Sequence, residues 1–288
     1  MSREETIIRI GDLKVESSKV SFFVPPPGLA VGRGAFCALV GPSGSGKSVL
    51  MSILTGHLLT PWMTGKTRIS CDAFEILGAS ICRDELQSAQ KLRKRFRDLP
   101  IVYMPQKLPE DKSNTRSTLS EMADIAEAVA SQCARQQLIR KIRARFENHG
   151  LQETFGKPLS SLSGGQRKRV EILARIVGAE EKAKGGGNPD IVFLLDEPMT
   201  GLDVKNQRDY FRLLRDIQRQ ARETHLTFII TTHAAELLKE NDVFETVMFV
   251  QRRQDDKSKE SASRELELAF CGTGGDFLKR EDLFKKIG

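Results

Sequence analysis

One motif, Gly-x-x-x-x-Gly-Lys-Ser, constrains this chain more than any other feature of its sequence. The apolar run Phe36–Val40 before it predicts a strand, and Val49–Leu54 after it predicts a helix. In that setting the motif is typical of a phosphate-binding loop, because its glycines let successive backbone N–H groups point at an anion and the helix N-terminus adds its dipole. The residues of the loop are Gly41, Pro42, Ser43, Gly44, Ser45, Gly46, Lys47 and Ser48.

Two side chains of the loop have specific expected roles. Lys47 can reach the β- and γ-phosphates of a nucleotide, and the Ser48 hydroxyl can bind Mg²⁺. A chance match to the motif is expected in on the order of one per cent of chains this long, and the flanking strand and helix lower that figure. The sequence therefore predicts a nucleoside-triphosphate site.

Composition limits the class of protein. The 288 residues, 39% of them hydrophobic, can bury one large core or two modest ones, and the net charge of +7 is compatible with a polyanion or an anionic membrane as partner but requires neither. The five cysteines form no C-x-x-C pair, which favours a reducing compartment and gives a zinc site little support. The N-terminus lacks the apolar core of a signal peptide, and no stretch approaches the ~20 apolar residues of a membrane span. We expect a cytoplasmic protein that would associate with a membrane only through partner subunits.

Strands that alternate with helices predict an α/β fold with a mostly parallel core sheet. Short strand candidates before residue 36 predict a flanking antiparallel region, and apolar stripes between residues 118 and 150 predict an inserted helical subdomain. We expect a single domain, residues 1–288. Its parts are an α/β core (1–106 and 176–250), a helical subdomain (107–175) and a C-terminal hairpin and helix (251–288).

Four further helices are predicted from local patterns. We expect one helix over Asp84–Phe96 and one over Gln166–Gly178. The charged, glycine-rich run Glu180–Pro189 that follows predicts a mobile surface loop. Further helices are expected over Ala234–Glu240 and Asp276–Ile287.

Two adjacent acids follow a second buried strand. Ile191–Leu195 is a continuous apolar run, typical of a strand covered on both faces of a parallel sheet, and it ends in Asp196 and Glu197. Ligands of α/β sheets bind at the carboxyl edge of the strands. Asp196 is therefore a candidate Mg²⁺ ligand, and Glu197 a candidate base that accepts a proton from attacking water.

The segment Leu162–Gln166 has two possible interpretations. It can be a loop and helix cap, with Ser163 as the N-cap residue. It can also bind an anion, because the Ser163 hydroxyl, the amides of Gly164 and Gly165 and a helix N-terminus would converge there.

Together these motifs resemble the ATP-binding cassette (ABC) ATPases, which places the fold among the P-loop NTPases. The likeness covers about residues 29–250, and its motifs occur in the order of that family: the phosphate loop Gly41–Ser48, Gln106 at a strand end, the signature Leu162–Gln166, the pair Asp196 and Glu197, the run Gly201–Asp203, and His233.

The resemblance implies a dimer of two cassettes that face each other head to tail and bind ATP and Mg²⁺. Ser163, Gly165 and Gln166 would contact the γ-phosphate of the ATP held by the partner's phosphate loop, with Gly164 in the same loop. Asp203 would lie across the dimer interface.

The resemblance also implies roles at the nucleotide's own protomer. Gln106 would contact Mg²⁺ and the attacking water, and it would mark the loop that faces a partner protein. His233 would bind the γ-phosphate and help to orient water against Glu197.

Two departures from the family pattern concern the binding of the nucleotide base and the residues after the signature. The aromatic residue on which adenine usually stacks would fall near Ser17 or Ser18, whereas the aromatic side chains nearby are Phe22 and Phe23. Phe22 is the better candidate for the core than for the ligand. Lys168 stands where a second glutamine is frequent after the signature.

The leading hypothesis is the ATP-hydrolysing subunit of a membrane transporter whose other subunits are integral membrane proteins. The alternative is a soluble ABC ATPase acting on nucleic acid or ribosomes. That alternative is less favoured, because the chain has neither a long coiled coil nor a C-x-x-C insertion, and it holds one cassette rather than two. A regulator without turnover is a weaker third hypothesis, since Glu197, Gln106 and His233 are all present.

Overall fold

The computed structural model describes residues 5–17, 20–56, 67–86, 88–106, 116–130, 133–233, 238, 244–253 and 264–287. The helix predicted over Ala234–Glu240 lies outside the described residues except for Leu238. The chain divides into two compact units: unit 1 comprises Met1–Leu99, Phe193–Glu197 and Thr227–Gly288, and unit 2 comprises Pro100–Val192 and Pro198–Leu226. The subdomain bounds expected above stay a prediction.

The described strands, numbered along the chain, are β1 (Thr6–Gly11), β2 (Leu13–Glu16), β3 (Val20–Val24), β4 (Leu29–Gly32), β5 (Phe36–Val40), β6 (Arg68–Ser70), β7 (Ala73–Ile76), β8 (Ala79–Ser80), β9 (Ile101–Met104), β10 (Asp190–Leu195), β11 (His225–Thr231), β12 (Thr246–Arg252) and β13 (Arg264–Thr273).

The described α-helices are α1 (Lys47–Leu54), α2 (Arg83–Leu86), α3 (Ala89–Arg97), α4 (Thr118–Ala130), α5 (Arg135–Asn148), α6 (Gly164–Gly186), α7 (Val204–Gln220), α8 (Gly274–Leu278) and α9 (Glu281–Phe284). Among the described residues, none of these helices combines the length and the apolar character needed to cross a membrane.

The main sheet of unit 1 has β5 in its interior. The strand order is β6-β2-β3-β13-β12-β5-β11-β10, and β5 runs parallel to both β11 and β12. Strand β10 begins in unit 2, where β9 lies beside it, and ends in unit 1. Since β5 and β11 are parallel and adjacent, the segments that follow them, with the phosphate-loop motif and His233, leave the sheet at the same edge.

The interior strands are buried along their whole length, as their continuous apolar runs predicted. Every residue of β5 and β10 is buried. The ring of Phe228 on β11 packs against Phe36 and Phe193 of the neighbouring strands, with centroids 5.4 Å and 5.1 Å apart. Side chains on both faces of these strands therefore belong to the core, which holds their carboxyl ends in fixed positions.

An antiparallel sheet with the order β4-β1-β7-β8 completes the β structure of unit 1, and it confirms the antiparallel region expected from the sequence. The predicted closing hairpin is also confirmed, because β12 and β13 pair antiparallel from Thr246 with Thr273 onward. Strand β2 was not predicted: its inward side chains are only Leu13 and Val15, too short an alternation to stand out.

In unit 2, the prediction of a mobile loop over Glu180–Pro189 is wrong. Helix α6 continues through this run and ends at Gly186. Ala179 and Ala183 are buried, while the carboxylates of Glu180 and Glu181 bind Arg145 and Lys141 of α5. The charged run is thus one face of a packed helix, because its acids pair with cations of the neighbouring helix.

Two other helix predictions are wrong in their extent. The segment predicted as one helix over Asp84–Phe96 forms two helices, and the second begins after Ser88, whose hydroxyl accepts a hydrogen bond from the Lys91 amide at 3.3 Å. The C-terminal segment likewise forms α8 and α9 instead of one helix.

The crossing of α4 and α6 leads to a test of stability. A Cβ atom at Gly178 would overlap the carbonyl oxygen of Ala126 and approach Cβ of Val129 to 2.9 Å. We expect Gly178→Ala to lower the free energy of unfolding by about 1–3 kcal/mol, because overpacking at a backbone contact outweighs the better helix propensity of alanine.

Gly185 on the same helix is the matched control, since a Cβ there would meet nothing within 4 Å. Urea unfolding should show Gly185→Ala to be as stable as the wild type or slightly more stable. Equal stability of the two variants would contradict the close packing of α4 on α6.

Candidate functional site

The phosphate-loop motif follows β5 as predicted, and Lys47 is the first residue of α1. Its ammonium group is buried and donates to the carbonyl oxygens of Gly41 at 2.8 Å and Pro42 at 3.2 Å. Burial lowers the pKa of Lys47, while the negative charges of Glu197 and Asp196 act in the opposite direction. The lysine is therefore folded back over its own loop and lies within the field of both acids.

The loop has the shape that a phosphate group requires. Gly41, Gly44 and Gly46 all have positive φ angles, of 150°, 71° and 103°, and a side chain at Gly46 would approach Leu266 Cδ1 to 2.9 Å. Ser45 is 2% exposed, and its hydroxyl oxygen has no hydrogen-bond partner among the described residues. An unpaired buried hydroxyl in a glycine-rich turn fits an anion that is bound during function.

A threonine on the neighbouring strand positions both acids at the end of β10. The Thr231 hydroxyl donates to Asp196 Oδ1 at 2.9 Å and accepts from the Glu197 amide at 2.5 Å. Thr231 is fully buried as the last residue of β11. Sequence reasoning did not assign it a role; the only available signal was a hydroxyl residue two positions before His233.

Glu197 and His233 form a direct pair, whereas the resemblance implied only that His233 would help to orient water against Glu197. His233 Nε2 lies 2.8 Å from Glu197 Oε1, and because a carboxylate only accepts hydrogen bonds, Nε2 is the donor. Glu197 has a φ angle of 46°, an uncommon conformation for a residue with a side chain. Its amide is held by Thr231, so the strained backbone that presents the carboxylate is fixed from a neighbouring strand.

The Thr231 contacts predict a loss of activity without loss of the fold. For the ATP hydrolysis that the resemblance implies, we expect Thr231→Val to reduce kcat by about tenfold to a hundredfold, because the Glu197 amide loses its acceptor and an unsatisfied buried donor costs about 1–3 kcal/mol. Thr231→Ser, which keeps the hydroxyl, should retain most of the activity.

Thr227→Val on the same strand is the matched control. Thr227 is equally buried, and its hydroxyl accepts from the Gly34 amide at 3.0 Å instead of from the site. Steady-state kinetics should show a loss of kcat for Thr231→Val alone. If both variants lose kcat equally, the effect comes from the sheet and not from the acids.

In unit 2, the signature segment forms the predicted helix cap. The Ser163 hydroxyl accepts from the Gln166 amide at 3.2 Å, and Gln166 Oε1 accepts from the Ser163 amide at 3.1 Å. Gln166 also donates to Glu153 at 2.9 Å. The amides of Gly164 and Gly165 belong to the first turn, whose N–H groups have no acceptor within the helix, and the Ser163 hydroxyl, which accepts in the cap, can still donate its proton. The cap and the anion-site interpretations are therefore compatible.

The remaining predicted residues also lie in unit 2. Asp203 is the N-cap of α7, where its carboxylate accepts from the Asn206 amide at 2.8 Å and from its side chain at 2.6 Å, bonds that lower the pKa of Asp203. Gln106 is exposed, two residues after β9. The structure therefore brings Lys47, Asp196, Glu197 and His233 together within unit 1, whereas Gln106, Ser163 and Asp203 belong to unit 2.

The aromatic candidates for the nucleotide base differ in exposure. Phe22 is fully buried and packs beneath Gly46, which confirms it as a core residue. Phe23 is half-buried, with the Arg253 guanidinium 5.0 Å from its ring centroid. Arg252, to which the sequence alone gave no role, is exposed. Its guanidinium lies 3.8 Å from the position that a Cβ atom on Gly44 would occupy.

Comparison with known proteins identifies relatives of this site and fold. The family model described as ABC transporter matches residues 26–200. The chain is 30% identical over 207 residues to the lipoprotein-releasing system ATP-binding protein LolD 1 of Caulobacter vibrioides, an alignment that covers 71% of this chain and 75% of the relative. It is 28% identical to the phosphonates import ATP-binding protein PhnC 1 of Rhodopseudomonas palustris, over 71% of this chain and 67% of the relative.

Solved structures agree in fold. The structure of cbiO1 from Clostridium perfringens, described as part of the ABC transporter complex cbiONQ, superposes with a TM-score of 0.61 at 20% identity and covers 98% of this chain and 94% of that chain. A nucleotide-free ATP-binding cassette from an ABC transporter gives a TM-score of 0.62 at 17% identity, with 98% of both chains covered. Together with the family model, these structures confirm the α/β fold of a P-loop NTPase expected from the sequence.

Proposed function

Since this chain belongs to the ABC transporter family and is an ATP-hydrolysing cassette, we propose that the cluster formed by Lys47, Asp196, Glu197 and His233 is its hydrolytic centre. The observation that carries the proposal is the 2.8 Å bond between Glu197 and His233, next to a phosphate-loop lysine that both acids influence. The relatives compared above are named as parts of transport systems, which favours the transporter over the nucleic-acid hypothesis.

The chain's own groups divide the work of phosphoryl transfer. The amides of the phosphate loop and the Ser45 hydroxyl bind the phosphate chain. The Lys47 ammonium group, which donates to the carbonyl oxygens of Gly41 and Pro42 without nucleotide, donates instead to the β- and γ-phosphate oxygens when nucleotide binds. Glu197 accepts the proton of the attacking water. His233 holds Glu197 in place before nucleotide binds and donates to the γ-phosphate once it is present, since the same Nε2–H group can serve either acceptor.

The donors proposed for Mg²⁺ are oxygen atoms, the ligand type that this ion prefers. They are the Ser48 hydroxyl at the exposed start of α1, the Asp196 carboxylate fixed by Thr231, and Gln106. A bound Mg²⁺ would supply neutralisation of the charge on the β- and γ-phosphate oxygens.

The second half of each site is proposed to come from a partner cassette, either a second copy or a related chain. The Ser163 hydroxyl and the amides of Gly164 and Gly165, together with Gln166 and Asp203, would face the nucleotide of that partner. ATP would then close the dimer and hydrolysis would reopen it. We propose that integral-membrane subunits receive this motion and hold the chain, as a cytoplasmic protein, at the membrane surface.

The test combines catalysis with coupling. Purified protein should hydrolyse ATP in Mg²⁺ and stop when the ion is chelated, and its activity should change when it is mixed with detergent-extracted membranes from its own cells. Activity that ignores those membranes but responds to duplex DNA or RNA in a salt-sensitive way would contradict the transporter assignment and favour the nucleic-acid hypothesis.

A further inference from the structure

A lysine one turn into the signature helix bonds to the loop that precedes Asp203. Lys168 on α6 donates from its ammonium group to the Thr200 carbonyl oxygen at 2.9 Å. Thr200 stands three residues after Glu197 in the chain and three before Asp203. A glutamine is frequent at this position in the family that the sequence resembles, and the sequence alone gave Lys168 no role.

Two glycines of the signature also lie close to the residues on either side of Asp203. A Cβ atom at Gly165 would lie 3.3 Å from Asn206 Oδ1, and Asn206 is the residue whose amide and side chain bind Asp203. A Cβ atom at Gly164 would lie 3.8 Å from Leu202 Cδ2. The first turn of α6 therefore lies against Leu202 of the Thr200–Asp203 loop and against Asn206 in the first turn of α7.

The loop needs such support because its backbone forms a tight turn at the surface. The Leu202 amide donates to the Met199 carbonyl at 3.0 Å across Gly201, which has a φ angle of 81°. Thr200 and Gly201 are exposed. A hydrogen bond from a charged donor is stronger than one between neutral groups, so the Lys168 bond restrains the Thr200 carbonyl and, with it, this part of the loop.

We propose that Lys168 is a positioning residue that links the signature loop to the Thr200–Asp203 loop, and through it couples the two nucleotide sites of the dimer. The proposal rests on the proposed function, in which Ser163 of one protomer contacts the partner's ATP. When the partner's ATP orders the signature loop of one protomer, the Lys168 bond also orders the Thr200–Asp203 loop of that protomer. This loop follows Glu197 in the chain, and Glu197 is the base for the protomer's own ATP. Coupling between sites requires such an element, whose state both sites influence.

The test replaces the ammonium group but keeps the aliphatic stem. For Lys168→Met, the Hill coefficient for ATP should fall from a wild-type value approaching about two, the number of sites, towards one, and kcat should fall by about fivefold, as expected for a partly exposed charged hydrogen bond. Lys168→Arg keeps a charged donor and should restore both values. Methionine and lysine have similar helix propensity, so the melting temperature should stay the same.

Lys157→Met is the matched control, because the Lys157 side chain is exposed in the segment before the signature. It should leave the Hill coefficient and kcat unchanged. The proposal is overturned if Lys168→Met hydrolyses ATP with the wild-type Hill coefficient, or if the wild type itself shows a coefficient of one. Failure of the proposed function is distinguishable, because then the wild type would not hydrolyse ATP, or Glu197→Gln would hydrolyse it normally.

Discussion

Replacing Glu197 by glutamine is expected to lower kcat for ATP hydrolysis by about three orders of magnitude, within the range that a general base contributes. Glutamine keeps the shape of the side chain and an oxygen that accepts from His233 Nε2, now 2.8 Å from the carboxylate. It also keeps the backbone amide that Thr231 holds. The variant should therefore bind ATP with wild-type affinity and fail only in the proton transfer.

Single-turnover hydrolysis and equilibrium binding of ATP measure the two effects separately. Glu245→Gln is the control: Glu245 also lies in unit 1, and its carboxylate accepts from the Phe36 amide at 3.2 Å, at the start of β5 instead of at the site. That variant should keep its kcat. A Glu197→Gln protein with kcat within a factor of about ten of the wild type would exclude Glu197 as the base.

Replacing Lys47 by alanine should raise the Kd for ATP by about a hundredfold, since hydrogen bonds to charged groups are each worth about 1.5–3 kcal/mol. In the structure, the ammonium group is already buried at the loop and bonded to Gly41 and Pro42. The melting temperature without nucleotide should change little, because the variant loses these bonds but also the cost of a buried charge. The rise in melting temperature that ATP produces should disappear.

Arg252→Ala provides a graded comparison, because Arg252 is an exposed cation beside Gly44. An exposed charge is screened by water, so its removal should raise the Kd by no more than about threefold. Calorimetric titration with ATP measures the Kd of both variants. Equal effects of the two substitutions would mean that general positive charge, and not the position of Lys47, binds the phosphates.

The parts of the fold that the sequence predicted well are those with one dominant local cause. Strands β5 and β10 are apolar along their whole length, and a strand buried on both faces produces that pattern. The phosphate loop and the Ser163 cap depend on backbone geometry that only particular residues allow, so their spacing in the sequence indicated their structure.

The parts that sequence reasoning missed depend on contacts between distant segments. The end of α6 was placed too early because Glu180 and Glu181 read as solvated charges, whereas their partners Arg145 and Lys141 lie on another helix. Thr231 could not be recognised as the residue that positions both acids, since its register against β10 is a property of the sheet. The positive φ angle of Glu197 has the same origin.

The site itself was predictable as a list of residues but not as a geometry. Lys47, Glu197 and His233 were assigned roles from the sequence. The structure adds that the side chains of Glu197 and His233 are hydrogen-bonded, and that the charges of Glu197 and Asp196 act on the pKa of Lys47. Lys168 shows the converse case, in which a departure from the family pattern acquires a contact only in three dimensions.

The most direct test of the central claim, that each nucleotide is shared between two protomers, is ATP hydrolysis by mixtures of inactive variants. Lys47→Ala disables the half-site of unit 1, and Ser163→Arg disables that of unit 2. Mixed in equal amounts and allowed to exchange, they should recover up to about a quarter of the wild-type rate, because half of the dimers are mixed and each mixed dimer has one intact site. A mixture of Lys47→Ala with Glu197→Gln, both in unit 1, should stay inactive. Wild-type turnover by Ser163→Arg alone, or no recovery in the first mixture, would contradict the account.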